Sequence, residues 1–254
     1  MKAIDLPEAT NWSDYLINKK SDKSVIVVGN SPSLLSQELG EVIDSYDIVI
    51  RLNKCVTDGF EKHTGQKINI WATTRNDFHK NWHPKNISNI NEIWLRTRNT
   101  RKDLFIRDNE SAKDIQCICM FKGKNSVYET AKDVYGGNEW NLRKEPCTGF
   151  LAILTAQKIY KKISIVGFTF YTDKESQNNN YEYYIKSERK VYSNGISYIK
   201  DKQAFFHDHH PEDDYRGGDQ FLGEGLKRKK IIKKLVDRGD ITCLLPEELQ
   251  QNEK

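Results

Sequence analysis

Short runs of β-branched and aliphatic residues recur along this chain, separated by stretches long enough for helices. Nothing else in the sequence restricts its fold as tightly. The runs are "SVIVVG" (24–29), "YDIVIRLN" (46–53), "KINIWATT" (67–74), "NEIWLRT" (91–97), "DIQCICMF" (114–121), "ISIVGFTF" (163–170) and "ITCLLP" (241–246). Several are almost continuously apolar, the pattern of strands buried on both faces. Helices are predicted to start at Ser31-Pro32, with Leu34, Leu35 and Leu39 on one side, and at Thr148, running through "GFLAILTAQKIYK". Others are expected over "SVYETAKDVYG" (126–136) and "LGEGLKRKKIIKKLVDRG" (222–239), the last closed by a glycine. Strands alternating with helices predict an α/β fold, a Rossmann-like, mostly parallel sheet flanked by helices. In such sheets ligands collect at the carboxyl ends of the strands. There the less usual residues lie: Gly29-Asn30-Ser31, Asn53, Thr73-Thr74 and Gly167-Phe168. For 254 residues one core suffices, so a single domain is expected over 24–246, between a polar segment at 1–23 and a polar tail at 247–254.

Composition removes several function classes. No apolar run approaches the roughly 18 residues of a membrane span, and the first residues lack a secretory apolar region. Five cysteines, an odd number without a CxxC pair, are read as reduced thiols of a cytoplasmic protein. A net charge of +4 suits an anionic substrate without selecting one. No zinc-finger, helix-turn-helix or RNP pattern is present, so no nucleic acid is expected as partner. Trp71, Trp82, Trp94 and Trp140 are read as core or pocket aromatics.

Two motifs combine a turn with a helix start. In "VVGNSPSL", Gly29 allows another group to approach the backbone, while Asn30 and Ser31 offer polar atoms where a helix begins and anions are favoured. The plainer reading is a turn in which Ser31 merely caps. A dinucleotide fingerprint fails here, because the second and third glycines are missing and "IRLN", ending in Asn53, replaces the acidic residue. In "EPCTGFLAILTAQKIYKKISIVGFTFY" (145–171), Thr148 and Gly149 open a helix whose first N–H groups face whatever precedes it. A capped core helix would read the same way.

"FFHDHHPEDDYRGGD" (205–219) is the most polar constellation, with His207, His209 and His210 beside Asp208, Glu212, Asp213 and Asp214. Histidine titrates near neutrality and can take a proton from an attacking hydroxyl or donate to a phosphate. An exposed loop, or a metal-dependent hydrolase or phosphoesterase using His207–Asp214, also fits these residues. "KRKKIIKKL" (227–235) holds six cations in nine residues. With Leu226, Ile231, Ile232, Leu235 and Val236 as its buried stripe, this helix would turn lysines outward, either to solvent or to anionic lipid.

Taken in this order, the first two motifs resemble the sialyltransferases of glycosyltransferase family 29. Their large sialylmotif is similar to residues 25–74, with the VVGNS turn, "IDSYDIVIRLN" and "GFEKHTG"; their small sialylmotif is similar to 145–171. The resemblance implies a GT-A-like domain, a CMP-linked ulosonic sugar (sialic acid or Kdo-like) as donor, and a glycan hydroxyl as acceptor. It implies no obligatory metal or other cofactor. It places Asn30 and Asn53, Thr148 and Gly149 on the nucleotide, beside Gly29 and Ser31 of the same turn. Cys147 stands where the family usually has Ser in "STG". The cysteines that join the two motifs in animal enzymes have no counterpart, since Lys23 and Ser24 precede Val25. With no Golgi-type anchor either, a bacterial or viral relative is expected, working in surface polysaccharide or lipooligosaccharide synthesis.

Toward the C-terminus two alignments stand. His207 and Glu212 satisfy the family's H-x4-E motif; alternatively His209-His210 match its histidine motif and Asp219…Glu224 the H-x4-E, with Asp219 in the base position. In either case a base deprotonates the acceptor, which attacks the anomeric carbon from the face opposite the phosphate and inverts it. The catalytic expectation rests on His207, His209 and His210. Peripheral contact with an inner membrane through 227–234 completes the expected partners.

Overall fold

The computed structural model describes residues 21–53, 55–74, 89–96, 115–120, 147–170, 189–191, 197–199 and 218–250. Its strands are β1 (Ser21–Val28), β2 (Ile48–Leu52), β3 (Ile70–Thr74), β4 (Glu92–Arg96), β5 (Gln116–Cys119), β6 (Tyr160–Val166) and β9 (Thr242–Cys243). These form one sheet in the order β5-β4-β3-β2-β1-β6-β9, and every neighbouring pair is parallel. A separate antiparallel pair joins β7 (Arg189–Val191) to β8 (Ser197–Ile199). The α/β fold with a largely parallel sheet is therefore as the sequence predicts.

The continuous apolar runs have the expected cause. In β1, Val25 and Val27 pack into one core cluster while Ile26 and Val28 pack into a second. Successive side chains of a strand point to opposite faces, so both faces must be covered. One is covered by the helix α3 (Thr148–Ile159), ten of whose twelve residues are buried, and by Ile231, Ile232 and Leu235 of the later helix α4 (Gly218–Asp237). The other holds Leu34, with Ile43 of α1 (Gly40–Asp44). The short α2 (Glu61–Thr64) precedes β3. Burying these aliphatic side chains stabilises the fold by roughly 1.5–3 kcal/mol apiece before conformational entropy is subtracted.

Two boundaries and one helix face differ from the sequence reading. The segment after Ser31 is a 3-10 turn, Pro32–Ser36, that ends where Gln37 becomes extended; Ser31 does cap it, accepting from Ser33 N at 3.3 Å. Helix α3 stops at Ile159, because Tyr160 is already paired with Ser21 across the extended base of β1. In α4, Leu226 is 40% exposed whereas Arg228 and Lys229 are buried. At about 100° per residue, Leu226 lies roughly 180° from Leu235, while Arg228 shares Leu235's face. Chain spacing thus puts a cation, not the leucine, on the inner stripe. Gly239, with φ +74°, closes α4 as expected, its N–H bonding Val236 O.

Candidate functional site

The chain passes from β1 to β2, β3, β4 and β5 on one side, then returns to β6 on the other side of β1. Strand order reverses at β1, and in open α/β sheets the crevice beyond the carboxyl ends at such a point is where ligands bind. Gly29-Asn30-Ser31 follow β1 there, Gly167-Phe168-Thr169 follow β6, and Asn53 follows β2.

The turns after β1 and β6 are built as one unit. Gly29 N donates to Val166 O (2.8 Å) and Ser31 N to Gly167 O (3.1 Å). Backbones this close leave no room for a side chain: a methyl on Gly29 would sit 2.0 Å from Gly167 O. Gly167 has φ +78°, and a methyl there would meet Leu34 at 2.9 Å. Ser31 Oγ lies 3.4 Å from Thr169 Oγ1. Asn30 is engaged internally, its Nδ2 donating to Leu52 O at 3.1 Å and tying the β1 turn to the end of β2.

The buried Phe168 ring joins this unit to the start of α3. Its Cδ1 is 3.3 Å from where a Gly29 methyl would be, and its Cε1 is 2.8 Å from the same position on Gly149. Leu52 Cδ1 lies 3.0 Å from the same would-be methyl on Gly149. One aromatic ring therefore sets the spacing between the two glycines, and with it the spacing of the two motifs.

Thr148 Oγ1 and Asn53 Oδ1 are buried without a hydrogen-bond partner among the described residues. Burying such an atom unpaired costs about 1–3 kcal/mol. Asn53 is in the left-handed region at φ +48°, a conformation asparagine adopts more readily than most residues. Its N–H donates to Ala72 O (2.8 Å), and its carbonyl accepts from Trp71 Nε1 (2.6 Å), so the strained position is held from both sides. Cys147 is the residue before α3 and makes no side-chain cap. The first N–H groups of this twelve-residue helix have no acceptor within it and carry the positive end of its dipole. The N–H groups and the hydroxyl favour an oxyanion, whereas Asn53 Oδ1 can only accept and suits a hydroxyl or amine of a ligand. The 3-10 turn after Gly29 is only five residues long, whereas α3 aligns twelve, so the larger dipole is that of α3.

Behind the turns lies Glu248, in the 3-10 turn Pro246–Leu249, 4% exposed. Its Oε1 accepts from Gly167 N (2.9 Å) and from Ser33 Oγ; its Oε2 accepts from Phe168 N (3.0 Å). Burial pushes its pKa up from the ordinary carboxylate value, against the lowering effect of these three donors. Within "PEELQQNEK" nothing distinguishes Glu248 from its neighbours; the burial of Leu245 and Leu249 on either side of it is the only local signal.

His207, His209 and His210 lie outside the described residues, as do Trp82 and Trp140; Trp71 and Trp94 are buried as expected. Among the described residues no group of three His, Cys, Asp or Glu side chains is placed to hold a cation. Arg51 of "IRLN" is structural, donating from Nε to Lys67 O (2.8 Å) and from Nη2 to Thr64 O (2.7 Å). Cys55 and Cys243 are free thiols whose pKa values burial pushes up to about 11 and about 12, so they stay protonated at neutral pH.

Comparison with known proteins bears on the family and the fold. Residues 4–215 match the family profile "Glycosyltransferase family 29 (sialyltransferase)". A beta-1,6-galactosyltransferase of Arabidopsis thaliana, GALT29A, is 47% identical over 57 residues, 22% of this chain and 14% of that protein. A CMP-N-acetylneuraminate-beta-galactosamide-alpha-2,3-sialyltransferase 1 of Gallus gallus is 26% identical over 154 residues, 56% of this chain and 43% of the relative. The chain thus spans less than half the length of the curated relatives it matches here. Among solved structures, a mammalian sialyltransferase in complex with Gal-beta-1-3GalNAc-ortho-nitrophenol shares the fold. Its TM-score is 0.53 at 16% identity, over 94% of this chain and 81% of that one.

Proposed function

The chain belongs to glycosyltransferase family 29, and from that we propose that it moves a ulosonic sugar, sialic acid or a Kdo-like acid, from a CMP-linked donor to a glycan hydroxyl with inversion. The contact of Phe168 with both Gly29 and Gly149 carries this reading, because it sets the α3 start against the β1 and β6 turns. The buried Thr148 Oγ1 and Asn53 Oδ1, without partners among the described residues, support it further. A CMP-sugar leaves as a phosphate monoester, on which less charge develops than on a diphosphate. Helix N–H groups and a hydroxyl, with a histidine of the 207–210 segment, suffice to hold that charge. Activity in the presence of EDTA is accordingly expected. The GT-A-like description, a cytoplasmic location and a role in surface glycan synthesis belong to the same proposal. If the basic helix meets anionic lipid, it does so through exposed Lys230, Lys233 and Lys234, since Lys229 is buried.

A donor screen by thermal shift tests the class, using CMP, CMP-sialic acid, CMP-Kdo, UDP, UDP-galactose and NAD. The galactosyl arm is included because of the Arabidopsis relative. Ligand at 100 times its Kd adds about 2.7 kcal/mol, hence a rise of roughly 5–10 °C for a chain of this size. Cytidine nucleotides should give that rise and uridine nucleotides should not. A larger shift with UDP-galactose than with any CMP compound would remove the ulosonate reading.

For the base, alanine is placed singly at His207, His209 and His210. Loss of a general base costs on the order of 10²–10⁴-fold, so at least one variant should drop kcat by that factor with CMP binding retained. Near-wild-type kcat in all three, or loss of activity in EDTA, contradicts the assignment.

A further inference from the structure

We infer that Glu248 is a positioning residue for the donor site, acting through the main chain of Gly167 and Phe168. This rests on the reading of that site as a CMP pocket. Glu248 lies beyond residues 4–215, so family membership assigns it no role. Its geometry does. One carboxylate takes the N–H of Gly167, the N–H of Phe168 and the hydroxyl of Ser33, spanning elements 134 positions apart in sequence (167 − 33). The first two fix the two successive peptide planes that lead into Phe168. The third fixes the turn that follows Gly29.

The same segment is anchored independently. Leu244 N donates to Ile165 O at 3.0 Å, and Leu245 is wholly buried with Leu34 and Val166. The carboxylate is therefore delivered by a packed element. Because the Phe168 ring separates Gly29 from Gly149, movement of its main chain changes the distance between the two halves of the pocket. Positioning of this kind is sensitive: misplacement by about 1 Å can cost about 100-fold.

The test is calorimetric titration of CMP into the full chain, with steady-state kinetics alongside. Glu248→Gln keeps the shape but turns an amide N–H₂ toward a backbone or hydroxyl donor that the carboxylate had accepted. CMP should bind at least about tenfold more weakly, and the KM for CMP-sugar should rise by a similar factor with kcat changed less. Ser33→Ala, which leaves both backbone bonds intact, gives a milder version, about threefold. It carries the test if Glu248→Gln fails to fold. Loss should be less than additive in the double variant, since both act through one carboxylate. Wild-type CMP affinity in folded Glu248→Gln, or in Ser33→Ala where that is the only folded variant, overturns the positioning role alone. Wild-type protein that does not bind CMP at all overturns the pocket reading and this inference with it.

Discussion

Gly29→Ala is expected to lose measurable CMP binding and to melt roughly 5–10 °C below the wild type. The new methyl would lie 2.0 Å from Gly167 O and 2.7 Å from Gly167 C. Both are main-chain atoms, so no flexible side chain can swing aside, and the β1 and β6 turns must separate. Overpacking of this kind costs about 1–3 kcal/mol or more, and each kcal/mol moves Tm by about 2–4 °C at this chain length. Separation also breaks the Gly29–Val166 and Ser31–Gly167 hydrogen bonds. Gly59→Ala is the control. Gly59 has φ +82° but nothing near its would-be methyl, so the substitution costs only backbone strain, about 1–2 kcal/mol. It should leave CMP affinity unchanged. If Gly29→Ala melts no lower than Gly59→Ala and still binds CMP, the two turns are not a close-packed unit.

Much of this could be read from residues because the governing physics is local. A run such as "SVIVVG" is buried on both faces wherever it sits, and Gly29 at its end announces a close approach. Thr148-Gly149 ahead of "FLAILTA" announces a helix start of equal clarity. The features that were not legible depend on partners distant in sequence. Nothing around Phe168 says that its ring will touch Gly29 and Gly149, since that follows from strand order. Ser31-Pro32 signals a helix start correctly, but not its length; the 3-10 turn is short because Gln37 becomes extended. Leu226 belongs to the stripe by hydrophobicity but not by phase, which sets it opposite Leu235 around α4. Glu248 is the clearest case. A glutamate in a Glu- and Gln-rich tail carries no local sign that three donors from two other turns converge on it.

Thr148→Val should separate the cost of the site from its use. Valine keeps the shape of threonine and removes the hydroxyl, which is buried and without a hydrogen-bond partner among the described residues. In the unliganded protein that hydroxyl is a pure desolvation loss, so the variant should be more stable, by about 1 kcal/mol. If CMP binds as proposed, the hydroxyl is the first side-chain donor it meets at the start of α3, and its removal should weaken CMP by about tenfold or more. Opposite signs for stability and binding are the signature of an atom kept for a ligand. Thr155→Val supplies the comparison, for Thr155 Oγ1 is also buried and without a partner among the described residues, seven residues further along the same helix. It should raise stability similarly and leave CMP affinity where it was, because two helical turns put it about 10 Å from the positive end of α3. Melting curves and CMP titrations on the two variants decide the matter. If Thr148→Val binds CMP as tightly as wild type, the hydroxyl does not face the donor phosphate; if both variants lose affinity alike, the effect belongs to helix packing.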